Sequence, residues 1–222
     1  MKVTLLEHTP SPDDLVAAAA RLCYSPLDIA GIRQKLAGGK ARELVDKLLS
    51  LGHESPLEHV SFTFGIEGVS RALSHQLVRH RIASYSQQSQ RYVKATNFSF
   101  VTPPSIALSA AATAKYHATM EHLQQTYAEL LALVPAEDAR YILPNACATK
   151  LVATMNARSL YNFFNLRCCT RAQWEIRALA FAMLRLVKKQ APAVFSAAGP
   201  DCWSSRGCTE GDMSCQNPPQ RI

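Results

Sequence analysis

Glu58-His59-Val60-Ser61-Phe62-Thr63-Phe64-Gly65-Ile66 puts Val60, Phe62, Phe64 and Ile66 on one side of an extended chain and Ser61, Thr63 and Gly65 on the other. Alternation with a period of two, with β-branched and aromatic residues on one face, predicts a strand laid against a core. From Val69 to His80 the spacing turns helical through Ala72, Leu73, Leu77 and Val78. Upstream, Ser11-Pro12-Asp13-Asp14 offers an N-cap serine, a proline at the first helical position and acids in the first turn, so a helix is expected from there to about Cys23. The Ala17 to Ala20 run lets it pack tightly. A second helix is expected over Ile29 to Ala37, broken by Gly38-Gly39, and a third over Lys40 to Leu51, stopped by Gly52.

Downstream, Ile82 to Arg91 has no face that either period could bury, and it reads as a loop. A short strand at Phe98 to Thr102 precedes Pro103-Pro104. A long helix is expected from Ile106 to about Val134, ended by Pro135, followed by a helical turn near Ala136 to Ile142. A strand around Thr149 to Met155 and helices at Ala157 to Asn165 and Ala172 to Lys189 complete the body. Thr170 with Gln173 forms a capping box for the last helix, whose buried stripe is Ile176, Leu179, Ala180, Met183 and Val187. Residues from about 195 to 222 form a loop-rich, cysteine-containing tail. With no internal repeat and no linker, residues 1–222 are read as a single α+β domain.

At 222 residues, 48% hydrophobic and 18% charged, the chain can bury a continuous core, which excludes disorder as its main state. No apolar run approaches the roughly 18 residues that span a bilayer, and the N-terminus lacks a secretory apolar region, so a cytoplasmic protein without membrane association is expected. Seven cysteines, with Cys23 and Cys147 in apolar segments, suit reduced thiols better than a disulfide framework. The net charge of +7 is unevenly spread. The 53 residues between Glu67 and Glu121 contain no carboxylate but hold Arg71, Arg79, Arg81, Arg91, Lys94 and Lys115. The 36 residues between Asp138 and Glu175 hold Arg140, Lys150, Arg158, Arg167 and Arg171, again without an acid. These windows sum to +11, against −4 for the other 133 residues. Such segments suit a site that receives negative charge.

No G-x-G-x-x-G, P-loop, H-E-x-x-H or G-x-S-x-G is present, so a phosphate-bearing ligand has to be held mainly by side chains. The stretch best equipped for that is Arg79-His80-Arg81-Ile82-Ala83-Ser84-Tyr85-Ser86-Gln87-Gln88-Ser89-Gln90-Arg91-Tyr92. Its guanidinium forks suit phosphate, and its hydroxyls and amides suit a base edge. A helix C-terminus decorated with bases to match its dipole would read the same way.

Arg79-His80-Arg81, seven residues and then Ser89 resembles the R-H-R-x7-S motif of the flavin-dependent thymidylate synthases. Three further segments are similar to that family in the same order: Gly52-His53-Glu54-Ser55-Pro56-Leu57-Glu58-His59, Ala139-Arg140-Tyr141-Ile142-Leu143-Pro144, and Asn156-Ala157-Arg158-Ser159-Leu160 running on through Asn162, Arg167 and Trp174. The resemblance implies a homotetramer with a largely antiparallel sheet flanked by helices and with FAD at subunit interfaces. It implies reductive methylation of dUMP to dTMP, with methylenetetrahydrofolate as carbon donor, FAD as hydride carrier and NADPH as reductant.

Residue by residue, it places His53, Arg79, His80, Arg81, Asn156, Arg158 and Asn162 at the cofactor. It places Gln76, Arg79, Ser89, Arg91, Arg140 and Arg167 at dUMP, with Gln87 and Gln88 as contacts that depart from relatives. Arg167 and Ser89 stand closest to the chemistry. Arg167 would stabilise negative charge on the uracil ring, because a guanidinium keeps its proton. Ser89 has no base near it in sequence and is read as a binder rather than a nucleophile. No cysteine is expected to be essential. Cys168, Cys169, Cys202, Cys208 and Cys215 could bind a metal, pair or stay free, although spacings of five and six residues are not the tight C-x2-C knuckle. A basic protein gripping a nucleic-acid backbone is the alternative from a different class, and methylation of uracil in RNA the alternative within flavin-folate chemistry.

Overall fold

The computed structural model describes residues 1–204 and 207–222. The order is β1 (Lys2–His8), α1 (Pro12–Leu22), α2 (Ile29–Leu36), α3 (Lys40–Leu51), a 3₁₀ turn (Ser55–His59), β2 (Ser61–Ser70), α4 (Arg71–Leu77), β3 (Ser84–Gln87), α5 (Pro104–Ala107), α6 (Ala110–Leu130), α7 (Ala136–Ala139), β4 (Ala148–Asn156), α8 (Ala157–Arg167) and α9 (Trp174–Gln190). The four strands form one antiparallel sheet in the order β1-β2-β4-β3. The protein is therefore α+β. Contacts divide the chain into one unit of residues 1–2, 66–79 and 85–152 and a second of 3–65, 80–84 and 153–222.

β2 behaves as its alternation demands, with Phe62, Phe64 and Ile66 fully buried. Its pairing with β4 includes a Thr63–Thr154 hydroxyl contact at 2.9 Å and Ala157 N–H donating to Val60 O at 2.9 Å. Both central strands end in a residue that caps the following helix. Ser70 Oγ accepts the Leu73 N–H at 3.0 Å, and Asn156 Oδ1 accepts the Ser159 N–H at 2.8 Å.

In the second unit Phe62 and Phe164 pack edge-on against Phe195, and the expected α9 stripe is fully buried. The Asp13 carboxylate, in the first turn of α1, accepts Ala193 N–H at 3.1 Å and Val194 N–H at 2.9 Å, fastening the segment after α9 to the start of the chain. In the first unit Phe98, Met120 and Cys147 form a small core lined by Phe100, Tyr116 and Leu123.

Several elements depart from the sequence reading. β1 was not foreseen. Ser84–Gln87, read as loop, is a strand paired with β4, as Gln88 N–H donating to Lys150 O at 3.0 Å shows. Both are edge strands, which bury too little for periodicity to reveal them. Phe98 to Thr102 makes only an isolated bridge, Phe100 to Cys147. The long helix splits because Ser109 Oγ accepts the Ala112 N–H and starts α6 anew. The helix expected over Val69 to His80 is α4 alone, so Arg79-His80-Arg81 lies beyond its end. Ser11 occupies the N-cap of α1 in a left-handed conformation and makes no side-chain cap. α9 is capped by Gln173, whose Oε1 accepts the Glu175 and Ile176 N–H groups, while Thr170 donates to Asn217 O. Cys23, expected within an apolar segment, is exposed, whereas Cys147 is buried.

Replacing Asp13 by Ala strands two half-buried backbone N–H groups, each charge-assisted, and is expected to cost about 2–3 kcal/mol. Asp13→Asn keeps one acceptor and should lose about half of that. Urea midpoints of the two variants compared with the parent measure both values.

Candidate functional site

The R-H-R turn is closed by Tyr85, whose hydroxyl donates to Leu77 O at 2.9 Å. In the first unit the chain after it folds onto Arg71, whose guanidinium donates to Gln88 O at 2.8 Å. Arg71, Gln88, Ser89, Gln90, Lys94 and Cys147 line a hollow of about 170 Å³. That volume is below the roughly 300 Å³ of a small-molecule pocket, so within this unit it fits a fragment such as a phosphate or sugar. The Nε of Arg71 is buried and has no hydrogen-bond partner. The sequence reading counted Arg71 as charge but gave it no role.

Ser89 Oγ accepts the Arg91 N–H at 3.1 Å, which uses the hydroxyl to shape the turn. Arg91 pairs side-on with Glu137 through Nε and NH2, both at 3.1 Å. Arg140 turns its Nε to Glu137 O at 3.0 Å. The structure thus brings Ser89, Arg91 and Arg140 to one place, as the motifs imply, and adds Glu137, which the sequence reading missed although it lies two residues before the acid-free window. Gln87 donates to Thr149 Oγ1 at 3.2 Å and so serves the sheet, whereas Gln88 lines the hollow. Gln76 is half-buried on α4, and Arg79 is exposed beyond that helix.

In the second unit His80 is only 8% exposed and packs edge-on against Phe163, with ring centroids 4.9 Å apart. Arg167, the last residue of α8, donates its Nε–H to His80 Nε2 at 3.0 Å. Burial first, and then the Arg167 charge, pulls the His80 pKa down to about 4. The imidazole is therefore neutral at pH 7, and because Nε2 accepts, Nδ1 carries the proton. That arrangement takes the lone pair away from proton abstraction and uses it to aim a guanidinium.

Arg158 and Asn162, four apart on α8, are both exposed, and the cap made by Asn156 Oδ1 leaves its amide NH2 for a ligand. Arg158 is engaged by Glu58 and by Glu54 at 3.6 Å, which joins the His53 to His59 block to the Asn156 block. The Glu58 hydrogen bond and charge, followed by Glu54, raise the Arg158 pKa. His53 and Arg81 are exposed. Among the described residues no carboxylate pairs with Arg79, Arg81, Arg140 or Arg167. Acids from outside the basic windows therefore neutralise part of the charge, and an unpaired set remains.

Neutral His80 stabilises the fold only where the unfolded chain's histidine is also neutral. Its folded pKa is depressed, so this contribution is complete above about pH 6.5 and is lost as pH falls toward about 4, on the order of 3 kcal/mol in total. Subtracting the urea-midpoint profile of His80→Gln from that of the parent should leave this one-proton slope, and parallel profiles would refute it.

The fold and these clusters define an α+β protein that gathers basic side chains and carries no glycine-rich phosphate loop. The family described as thymidylate synthase complementing protein matches residues 4–193. The chain is 56% identical over 218 residues to a flavin-dependent thymidylate synthase of Geobacter sulfurreducens, covering 97% of this chain and 94% of that one. It is 50% identical to one of Clostridium tetani, covering 97% and 93% of the two chains. With one of Pyrococcus furiosus the identity is 40% and the coverage 96% and 91%. The chain belongs to the flavin-dependent thymidylate synthase family and is an enzyme of flavin-dependent dTMP synthesis.

Proposed function

We propose that the protein converts dUMP to dTMP with 5,10-methylenetetrahydrofolate as carbon donor, FAD as hydride carrier and NADPH as reductant, without an enzyme nucleophile. The observation that carries the reading is the Arg167–His80 pair, a permanently charged group aimed by a buried, neutral imidazole. A fixed cation with no proton to lose is suited to negative charge developing on a uracil ring. Arg91, Arg140 and Ser89 receive the dUMP phosphate and sugar, with Gln76, Arg79 and Gln88 beside them, and Ser89 acts as a donor.

FAD, when bound, supplies the hydride that the ring receives. Arg158, Asn162 and the Asn156 amide form a polar face on α8 suited to an anionic dinucleotide, with His53, Arg79, His80 and Arg81 completing its contacts. The sites are assembled from more than one subunit of a homotetramer. No helix among the described residues is long and apolar enough to cross a membrane, and the seven cysteines are unbridged. Such thiols persist in a reducing cytoplasm, where this reading puts the enzyme.

A thiolate mechanism is disfavoured by Cys147, the cysteine at the basic hollow. Burial raises its pKa, while Gln90 and Arg71 pull weakly the other way. Cys147→Ala is expected to keep turnover within about tenfold of the parent.

The purified protein should be yellow and bleach with NADPH. Arg167→Lys should retain FAD while losing about a hundredfold in dTMP formation. A colourless protein that fails to bind added FAD, or that binds polynucleotide with steep salt dependence, would overturn the reading.

A further inference from the structure

The tail after α9 holds none of the residues assigned to that chemistry, and little of what usually orders a chain is present in it. Of residues 207–222, all but Gly207, Ser214 and Pro219 are exposed. Its anchors are polar. Trp203 Nε1 donates to Pro219 O at 2.8 Å, Thr170 Oγ1 to Asn217 O at 2.7 Å and Lys188 Nζ to Ile222 O at 2.9 Å, and Arg171 pairs with Glu210. Such largely solvent-facing bonds contribute less than the conformational entropy lost in fixing the backbone they hold. A segment with this composition needs a staple.

The chain brings together the material for one. Cys169, just beyond α8, and Cys202, Cys208 and Cys215 of the tail all line a single hollow of about 510 Å³, together with Arg167 and Arg171. Cys202 lies close enough to feel the other three thiols. The adjacent Cys168 is fully buried and does not line the hollow, so four of the five candidate thiols are selected. Among the described residues no three such side chains stand at ligating distance, and the hollow is far larger than an ion, so binding requires the tail cysteines to close inward.

We infer that Cys169, Cys202, Cys208 and Cys215 form a tetrathiolate site for a divalent cation of the zinc class, which fastens the tail to the end of α8. Four thiols and one M²⁺ give a tetrahedral M(SR)₄²⁻ and release four protons, with no change in oxidation state. The resulting dianion faces the guanidinium groups of Arg167 and Arg171, which supply its counter-charge. Thiolate ligation suits a reducing compartment in which a disulfide staple would not persist. Arg167 lines this hollow and also serves the proposed reaction, so the site is tested by metal content and spectra, which do not depend on turnover.

Elemental analysis of the full chain, purified without chelator and with reductant, is expected to find about one zinc per chain, and Cys208→Ser/Cys215→Ser about a tenth of that or less. Stripped parent protein titrated with Co²⁺ should develop the thiolate-to-metal charge-transfer and tetrahedral d–d bands, which does not depend on any variant folding. Chelation should raise hydrogen exchange across residues 207–222 while the core amides stay protected. Protein that holds no metal as purified or after zinc addition, with all seven thiols titrating, overturns the proposal. So does a disulfide among the four thiols, or iron accompanied by acid-labile sulfide.

Discussion

Each central strand of the sheet stops and starts a helix at a single residue, and where α4 and α8 end depends on that junction. Ser70 ends β2 and caps α4, which runs out into Arg79-His80-Arg81. Asn156 ends β4 and caps α8, which runs out at Arg167. In both cases a short polar side chain satisfies an orphan N–H and fixes where the helix begins, and therefore where its last residue falls. One helical residue more or less would rotate Arg167 by about 100° and take it away from His80.

The interior makes a histidine useful without titrating it. His80 is enclosed by an aromatic ring and faced by a guanidinium, and both favour its neutral form. The R-H-R turn then contains two charges and one fixed acceptor instead of three cations. This also explains why three consecutive basic-type residues can lie together in a folded chain with little mutual repulsion.

What the sequence disclosed follows burial. Phe62, Phe64 and Ile66 declared β2 because one face of that strand is dry, and the α9 stripe was visible for the same reason. β1 and Ser84–Gln87 lie at the sheet edges, where the backbone pairs on one side only and side chains remain partly wet, so composition left little imprint. At the site, the motifs located the arginines but not their present partners. Glu137, Glu54 and Glu58 reach those arginines from flanks that charge counting had set apart. The capping of α9 turned on whether Thr170 or Gln173 held the helix N-terminus, and the pull of the tail on Thr170 is a tertiary effect that a local motif does not contain.

The carboxylates on Arg91 and Arg158 also change what binding means here. Each arginine already holds an internal anion, so any external anion would have to exchange with a glutamate rather than meet a bare guanidinium. Both pairs are exposed and screened by solvent, so displacing them costs little. A singly charged ligand gains little over the glutamate that it replaces, while a phosphate dianion with three acceptor oxygens gains more. The glutamates therefore set a threshold of charge density that an anion approaching either arginine would have to exceed.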